Sequence, residues 1–65
     1  MIIGFKTANS TYHFNQFTKT ITGGIFRDKV YNYVNLSCLL KNKAYITLIN
    51  GQIVETGIVT GYIEA

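Results

Sequence analysis

The strongest constraint on this chain is the segment AYITLINGQIVET, which covers residues 44–56. Asn50 and Gly51 separate two runs rich in β-branched and aromatic residues. A two-residue type I′ turn needs positive φ at both central positions, and Asn and Gly tolerate this best. The segment therefore predicts a β-hairpin in which Leu48 lies opposite Ile53 and Ile46 lies opposite Glu55.

This register sorts the side chains onto two faces, because neighbours alternate along a strand and cross-strand partners share a face. The expected core face carries Ala44, Ile46, Leu48, Ile53 and Glu55. The other face carries Tyr45, Thr47, Ile49, Gln52, Val54 and Thr56. Because an unpaired buried carboxylate is costly, we expect Glu55 either at the rim of the sheet or paired with a lysine across an interface.

The second face is too apolar to be a solvated one. An antiparallel sheet with one wet side alternates between apolar and polar residues, yet this face shows Tyr45, Ile49 and Val54 and carries no charge. We expect it to be covered by the rest of the chain, by a second copy or by a partner protein. The predicted interface residues are Tyr45, Thr47, Ile49 and Val54.

The length of 65 residues predicts one domain over 1–65 with limited stability of its own. A chain this short buries only about 60% of its unfolded surface. Cys38 is the only cysteine and His13 the only histidine, so neither an intramolecular disulfide nor a structural zinc site is available. We expect a well-packed barrel that also forms a homo-oligomer, with no metal and no cofactor.

The composition favours strands throughout the chain. Ile, Val and Thr supply 21 residues and aromatics another nine, which suits pleated sheets. Turn signals recur every eight to twelve residues, and Gly23-Gly24 predicts a break or sharp bend. Strands are predicted over residues 1–8, 11–14, 19–22 and 30–34, in both arms of the hairpin, and over 58–63, where Gly57 and Gly61 flank a separate last strand. Residues 15–18 are an expected turn. The fold class predicted is all-β: a small curved barrel, SH3-like or OB-like, of five to seven antiparallel strands. One short helical turn is predicted near residues 36–41, where Leu36, Leu39 and Leu40 share a face.

Charge and hydropathy point to a cytoplasmic protein without a membrane partner. No run approaches 18 apolar residues, and the opening MIIGF is too short for the apolar region of a signal peptide. The net charge of +3 permits nucleic-acid binding through a local basic patch. It does not predict such binding in the way that a domain with clustered Lys and Arg would.

Enzymatic chemistry is not expected, and no catalytic residue is predicted. Cys38 lies in the apolar segment LSCLL, a setting typical of an inert buried thiol. The two glutamates and one aspartate, Glu55, Glu64 and Asp28, are more simply surface groups than a glycosidase pair. No phosphate-binding glycine loop occurs, because Gly23-Gly24 lacks the following lysine and helix.

One constellation suggests ligand binding. Lys29, Tyr31 and Tyr33 alternate onto one face of a predicted strand, with Arg27 just before it. Aromatic rings on a β surface can stack bases while cations hold phosphates. The alternative is that both tyrosines pack on neighbouring strands or at an interface. His13 is a further candidate for ligand or phosphate binding, against a structural role for an exposed or hydrogen-bonded histidine.

The two ends of the chain, KTANSTYHF and IVETGIVTGYIEA, resemble short all-β proteins of phages and Gram-positive bacteria. The resemblance rests on strand and turn residues. Many short phage proteins act by binding and blocking one host molecule, so the resemblance implies an inhibitor of a host defence protein.

Two functions follow as hypotheses. The first is a non-catalytic protein that binds a protein target stoichiometrically and assembles with itself. The second is a module that binds or sequesters a nucleotide or single-stranded nucleic acid through Arg27, Lys29, Tyr31, Tyr33 and His13. A structural subunit of a larger assembly is a further alternative.

Overall fold

The computed structural model describes all of residues 1–65. Six strands form: β1 (Ile2–Thr7), β2 (Thr11–Asn15), β3 (Thr20–Gly23), β4 (Tyr31–Ser37), β5 (Lys43–Leu48) and β6 (Ile53–Glu64). One 3₁₀ turn, Gly24–Phe26, follows β3. The prediction of an all-β barrel of five to seven antiparallel strands is confirmed. No helix is long and apolar enough to cross a lipid bilayer.

The barrel closes because β6 pairs with two neighbouring strands. Its first half pairs with β5 and its second half with β1, and every pairing in the ring is antiparallel. The sequence predicted that a separate strand would begin after Gly57, whereas β6 runs through Gly57 and Gly61 without interruption. Register shifts opposite Lys43/Tyr45 and Lys6/Thr7 show where β6 carries an extra residue. Such bulges bend a strand and turn β6 around the corner of the barrel.

The interior combines an aromatic and an aliphatic part. The buried hydrophobic residues are Phe5, Tyr12, Ile21, Phe26, Tyr33, Ala44, Ile46, Leu48, Val54 and Val59. Phe5 stacks on Tyr12 with ring centroids 4.8 Å apart, and Phe26 meets Tyr12 edge-on at 6.2 Å. These offset and perpendicular arrangements are the ones that aromatic rings prefer.

The predicted break at Gly23-Gly24 is confirmed and has a steric reason. Both glycines have positive φ, 92° and 49°, and a Cβ on Gly24 would collide with the ring of Tyr12. Because glycine has no side chain, it can adopt a positive φ and leave room for the ring of Tyr12. The corner therefore lets the 3₁₀ turn lie directly against the aromatic core.

The hairpin forms, but its predicted register is wrong by one residue. Only Gly51 of the turn has positive φ, 89°, and Gly51 N donates to Leu48 O at 2.9 Å while Leu48 N donates to Gln52 O at 2.8 Å. The loop therefore has three residues, a turn followed by a left-handed glycine. Ile46 now pairs with Val54, and Tyr45 with Glu55.

This one-residue shift exchanges the faces of the first half of β6. Val54 and Thr56 point inward and are buried, whereas Ile53 and Glu55 are exposed. The exchange removes the costly burial of a carboxylate that the predicted register implied. Thr56 Oγ1 accepts a hydrogen bond from Ala44 N at 3.1 Å and donates to Gly57 O at 2.8 Å, so the hydroxyl satisfies backbone groups at the bulge.

The predicted helical turn at 36–41 does not form. β4 continues to Ser37, and a tight turn follows in which Asn42 N donates to Leu39 O at 3.2 Å and Lys41 has φ 66°. Lys41 N donates to Val59 O, and Val59 N donates to Asn42 O. Pairing with β5 and β6 gives these backbone groups more hydrogen bonds than an isolated helical turn of a few residues offers.

Candidate functional site

The first candidate site is the outside of the β5–β6 hairpin. Cross-strand pairing fixes six of its members, because Lys43 pairs with Ile58, Tyr45 with Glu55, and Thr47 with Ile53, and Ile49 follows in the exposed turn. We call it the outer hairpin face and define it as Lys43, Tyr45, Thr47, Ile49, Ile53, Glu55 and Ile58. It retains three of the four predicted interface residues.

Val54 is the exception and a correction to the sequence prediction. It lies inside the barrel with 9% of its surface exposed, because the three-residue turn moved it to the core side. Ile53 takes its place on the outside. The side chains of Tyr45, Ile49, Ile53 and Ile58 are 44%, 69%, 65% and 54% exposed, so the face is apolar although its composition differs from the prediction.

The two charges on this face neutralise each other. Lys43 Nζ lies 3.0 Å from Glu55 Oε1 in the only ion pair of the chain. The hydrogen bond to Glu55 raises the pKa of the Lys43 amine above its ordinary value. Five other cations and two other carboxylates lie elsewhere. The outer hairpin face therefore carries no net charge, and the +3 of the protein resides on the remaining surface.

The predicted basic and aromatic strand is not a continuous exposed strip. Tyr33 is only 4% exposed and belongs to the core, and burial raises the pKa of its hydroxyl. Tyr31 is partly exposed but packs on Phe26, with ring centroids 5.0 Å apart. Arg27 and Lys29 are exposed around the corner before β4. A ring in the core cannot stack a base, so at most Tyr31 remains for that role.

His13 lies on the outside of β2, between Gly4 of β1 and Thr22 of β3. It is exposed and borders a shallow groove of about 210 Å³ that also includes Asn15, Thr20 and Val30. None of Arg27, Lys29, Tyr31 or Tyr33 lines that groove. His13 and the other predicted ligand-binding residues therefore do not line a common groove.

The largest pocket, about 320 Å³, lies at one end of the barrel. We call it the mouth pocket; its lining is Ile2, Phe14, Gln16, Lys19, Tyr33, Val34, Asn35, Leu36 and Cys38. Lys19 Nζ lies 5.9 Å from the centroid of the Tyr33 ring. Burial raises the pKa of the Cys38 thiol. The backbone carbonyl of Cys38 accepts a hydrogen bond from the Tyr62 hydroxyl at 2.6 Å.

The mouth pocket does not have the composition of a catalytic site. Neither a histidine nor a carboxylate lines it, and a nucleophilic thiol needs a base or a lowered pKa for activation. The chain also brings no three His, Cys, Asp or Glu side chains together where they could hold a metal ion.

Sequence reasoning did not find the mouth pocket. Lys19 and Gln16 belong to a turn, and Phe14 and Leu36 were interpreted only as strand and helix residues. One available signal was the clustering of Asn15, Gln16 and Lys19 around an expected turn. Nothing in the order of the residues indicated that this turn would face the second half of β4.

No protein-family model, no curated protein sequence and no solved structure matches this chain.

Proposed function

We propose that this chain is a non-catalytic binding protein that acts stoichiometrically and assembles as a homo-oligomer through the outer hairpin face. The observation that carries the proposal is the exposure of Tyr45, Ile53 and Ile58 on one sheet surface, with Ile49 exposed in the adjoining turn. Contiguous apolar patches on small proteins mark interaction sites, since burying them from water is favourable.

A second copy of the chain is the occupant best suited to this face. Two copies that each carry +3 repel one another, and the outer hairpin face is neutral because Lys43 and Glu55 are paired within one copy. Association there brings apolar surfaces together and keeps the excess cations apart. A two-fold axis through the face would make the contact self-complementary, as in most homodimers.

The resemblance to short phage proteins extends the proposal to the target. On that basis the assembled protein blocks one host protein by occupying it, and its remaining surface contacts the target. The alternative of nucleic-acid binding through Tyr31 and Tyr33 has less support, because Tyr33 lies in the core.

Self-association is tested by sedimentation velocity and light scattering over a micromolar concentration series. We expect an oligomer whose population falls strongly in Ile53→Lys, because the substitution puts an unpaired charge at an apolar contact. His13→Lys is the matched control: it adds the same side chain to an exposed position on the outside of β2 and should leave the oligomer intact. A folded wild-type monomer throughout the series, or equal effects of both substitutions, contradicts the proposal.

A further inference from the structure

The mouth pocket exists because the barrel is weakly closed on one side. β3 pairs with β4 only through Thr20 with Asn32 and Ile21 with Tyr31. One further bond, from Tyr33 N to Lys19 O at 2.9 Å, continues this contact. Beyond it, the second half of β4 pairs with β5 alone. A gap therefore opens between β4 and the β2–β3 turn, and no side chain fills it.

The lining of this gap has two chemically distinct parts. Ile2, Phe14 and Leu36 supply apolar surface, whereas Gln16, Lys19 and Asn35 are polar and exposed at the rim. Gln16 Nε2 donates to Ile2 O at 3.3 Å, which ties the rim to the first strand. Binding pockets typically combine such an apolar body with a few convergent polar groups, and they occur at the mouths of β-barrels.

The charge of the pocket has one sign. Lys19 is the only charged residue of the lining, and no carboxylate lies within ion-pair distance of it. The Tyr33 hydroxyl and the Cys38 thiol both stay protonated, because burial raises both pKa values. The pocket thus presents one cation and several hydrogen-bond donors, with no anion to compete for them.

We propose that the mouth pocket binds a small molecule that has an apolar body and one anionic group. The anionic group lies at Lys19 and Gln16, and the body packs against Phe14 and Leu36. A volume of 320 Å³ corresponds to about ten water molecules at ~30 Å³ each, so the part of the molecule held inside the pocket has roughly that number of non-hydrogen atoms. None of these residues belongs to the outer hairpin face, so this site is independent of self-association.

The test is a titration of the ¹⁵N-labelled full chain, followed by NMR, with four probes of matched size. These are 3-phenylpropionate, phenyl phosphate, neutral 3-phenylpropionamide and cationic 3-phenylpropylamine. We expect saturable shifts at Phe14, Leu36 and Cys38 with one or both anions, and binding of the amide and amine weaker by about tenfold, the usual scale of one charge-assisted hydrogen bond. The two anionic probes distinguish a carboxylate from a phosphomonoester.

Two substitutions locate the anion. Lys19→Met keeps the aliphatic stem and removes the charge, so we expect the affinity for the anions to fall by about tenfold and that for the amide to be unchanged. Lys29→Met is the control, because Lys29 is also exposed and lies outside the lining. Cys38 gives a second readout, since the bound anion should slow its alkylation by iodoacetamide in the wild-type protein.

Three results overturn the proposal. They are the absence of saturable shifts with both anions at millimolar concentration, equal binding of the anions and the amine, and identical anion affinity in Lys19→Met and wild type. Because the readouts come from pocket residues of a folded protein, each result is independent of whether the chain forms an oligomer.

Discussion

Two walls of the barrel differ in what they show to solvent. The aromatic wall, formed by β1, β2 and β3, buries Phe5, Tyr12 and Ile21 on its inside. Its outside shows the polar or charged residues Lys6, Thr11, His13 and Asn15. The hairpin wall, formed by β5 and the first half of β6, is apolar on both sides.

The difference shows which wall leaves apolar side chains exposed to water and which does not. The aromatic wall follows the alternation of a sheet with one wet side, so it needs no further cover. The outer hairpin face breaks that alternation at four exposed apolar side chains. Stability should therefore depend most on the interior of the aromatic wall, and association on the exterior of the hairpin wall.

The largest expected effect on stability is at the corner that closes the aromatic wall. Gly24→Ala places a methyl group into the ring of Tyr12 and forces alanine to adopt φ 49°, so we expect unfolding free energy to fall by about 3 kcal/mol. Gly57→Ala, in β6, is the control, because its Cβ would meet only Thr7 at 3.6 Å or more. Urea denaturation of both variants measures the difference, and equal losses contradict the steric account.

The next effect concerns the inside of the hairpin wall. Thr56→Val keeps the shape of the side chain and leaves Ala44 N without its 3.1 Å partner, which should cost about 2 kcal/mol. Thr47→Val, on the outer hairpin face, makes the same change where no hydrogen bond is lost, so its stability should stay close to wild type. Chemical denaturation of the pair decides this. If Thr47→Val is the more destabilising, the observed register is contradicted.

The smallest effect concerns the outside of the hairpin wall. Glu55→Gln replaces the carboxylate that raises the pKa of Lys43 with a neutral amide, so that pKa should fall, as an NMR titration of the Lys43 side chain will show. An amine whose pKa is raised on folding stabilises the fold at pH values below the ordinary lysine pKa. This stabilisation is lost as the pH rises through the raised pKa. Because both side chains are about half exposed, overall stability should hardly change. An unchanged Lys43 titration contradicts the ion pair.

The strand content and the turn positions could be predicted from sequence, because both depend on local residue preferences. Strand-forming residues and the breaks at Gly23-Gly24 and Asn50-Gly51 located four of the six strands closely, whereas β4 continues to Ser37, into the segment predicted as a helical turn. The continuity of β6 was missed because glycine usually ends or bends a strand. Here β6 continues through both glycines because its first half pairs with β5 and its second half pairs with β1.

The candidate sites were harder to predict because both depend on distant pairing. One extra residue in the turn reverses the faces predicted for Ile53 and Val54. The preference of Asn-Gly for turns does not determine whether the loop has two residues or three. The burial of Tyr33 follows from closure of the barrel, and the mouth pocket from the short pairing of β3 with β4. None of these features has a signature within a few residues of chain.

The amino-acid order by itself determined an all-β domain with an over-apolar hairpin, since composition, alternation and turn chemistry act over short range. Only the tertiary structure decided which isoleucines remain outside, which tyrosine enters the core and where the wall stays open. Those outcomes depend on how six strands share one small interior, where burial of apolar groups and exclusion of a carboxylate outweigh any single turn preference.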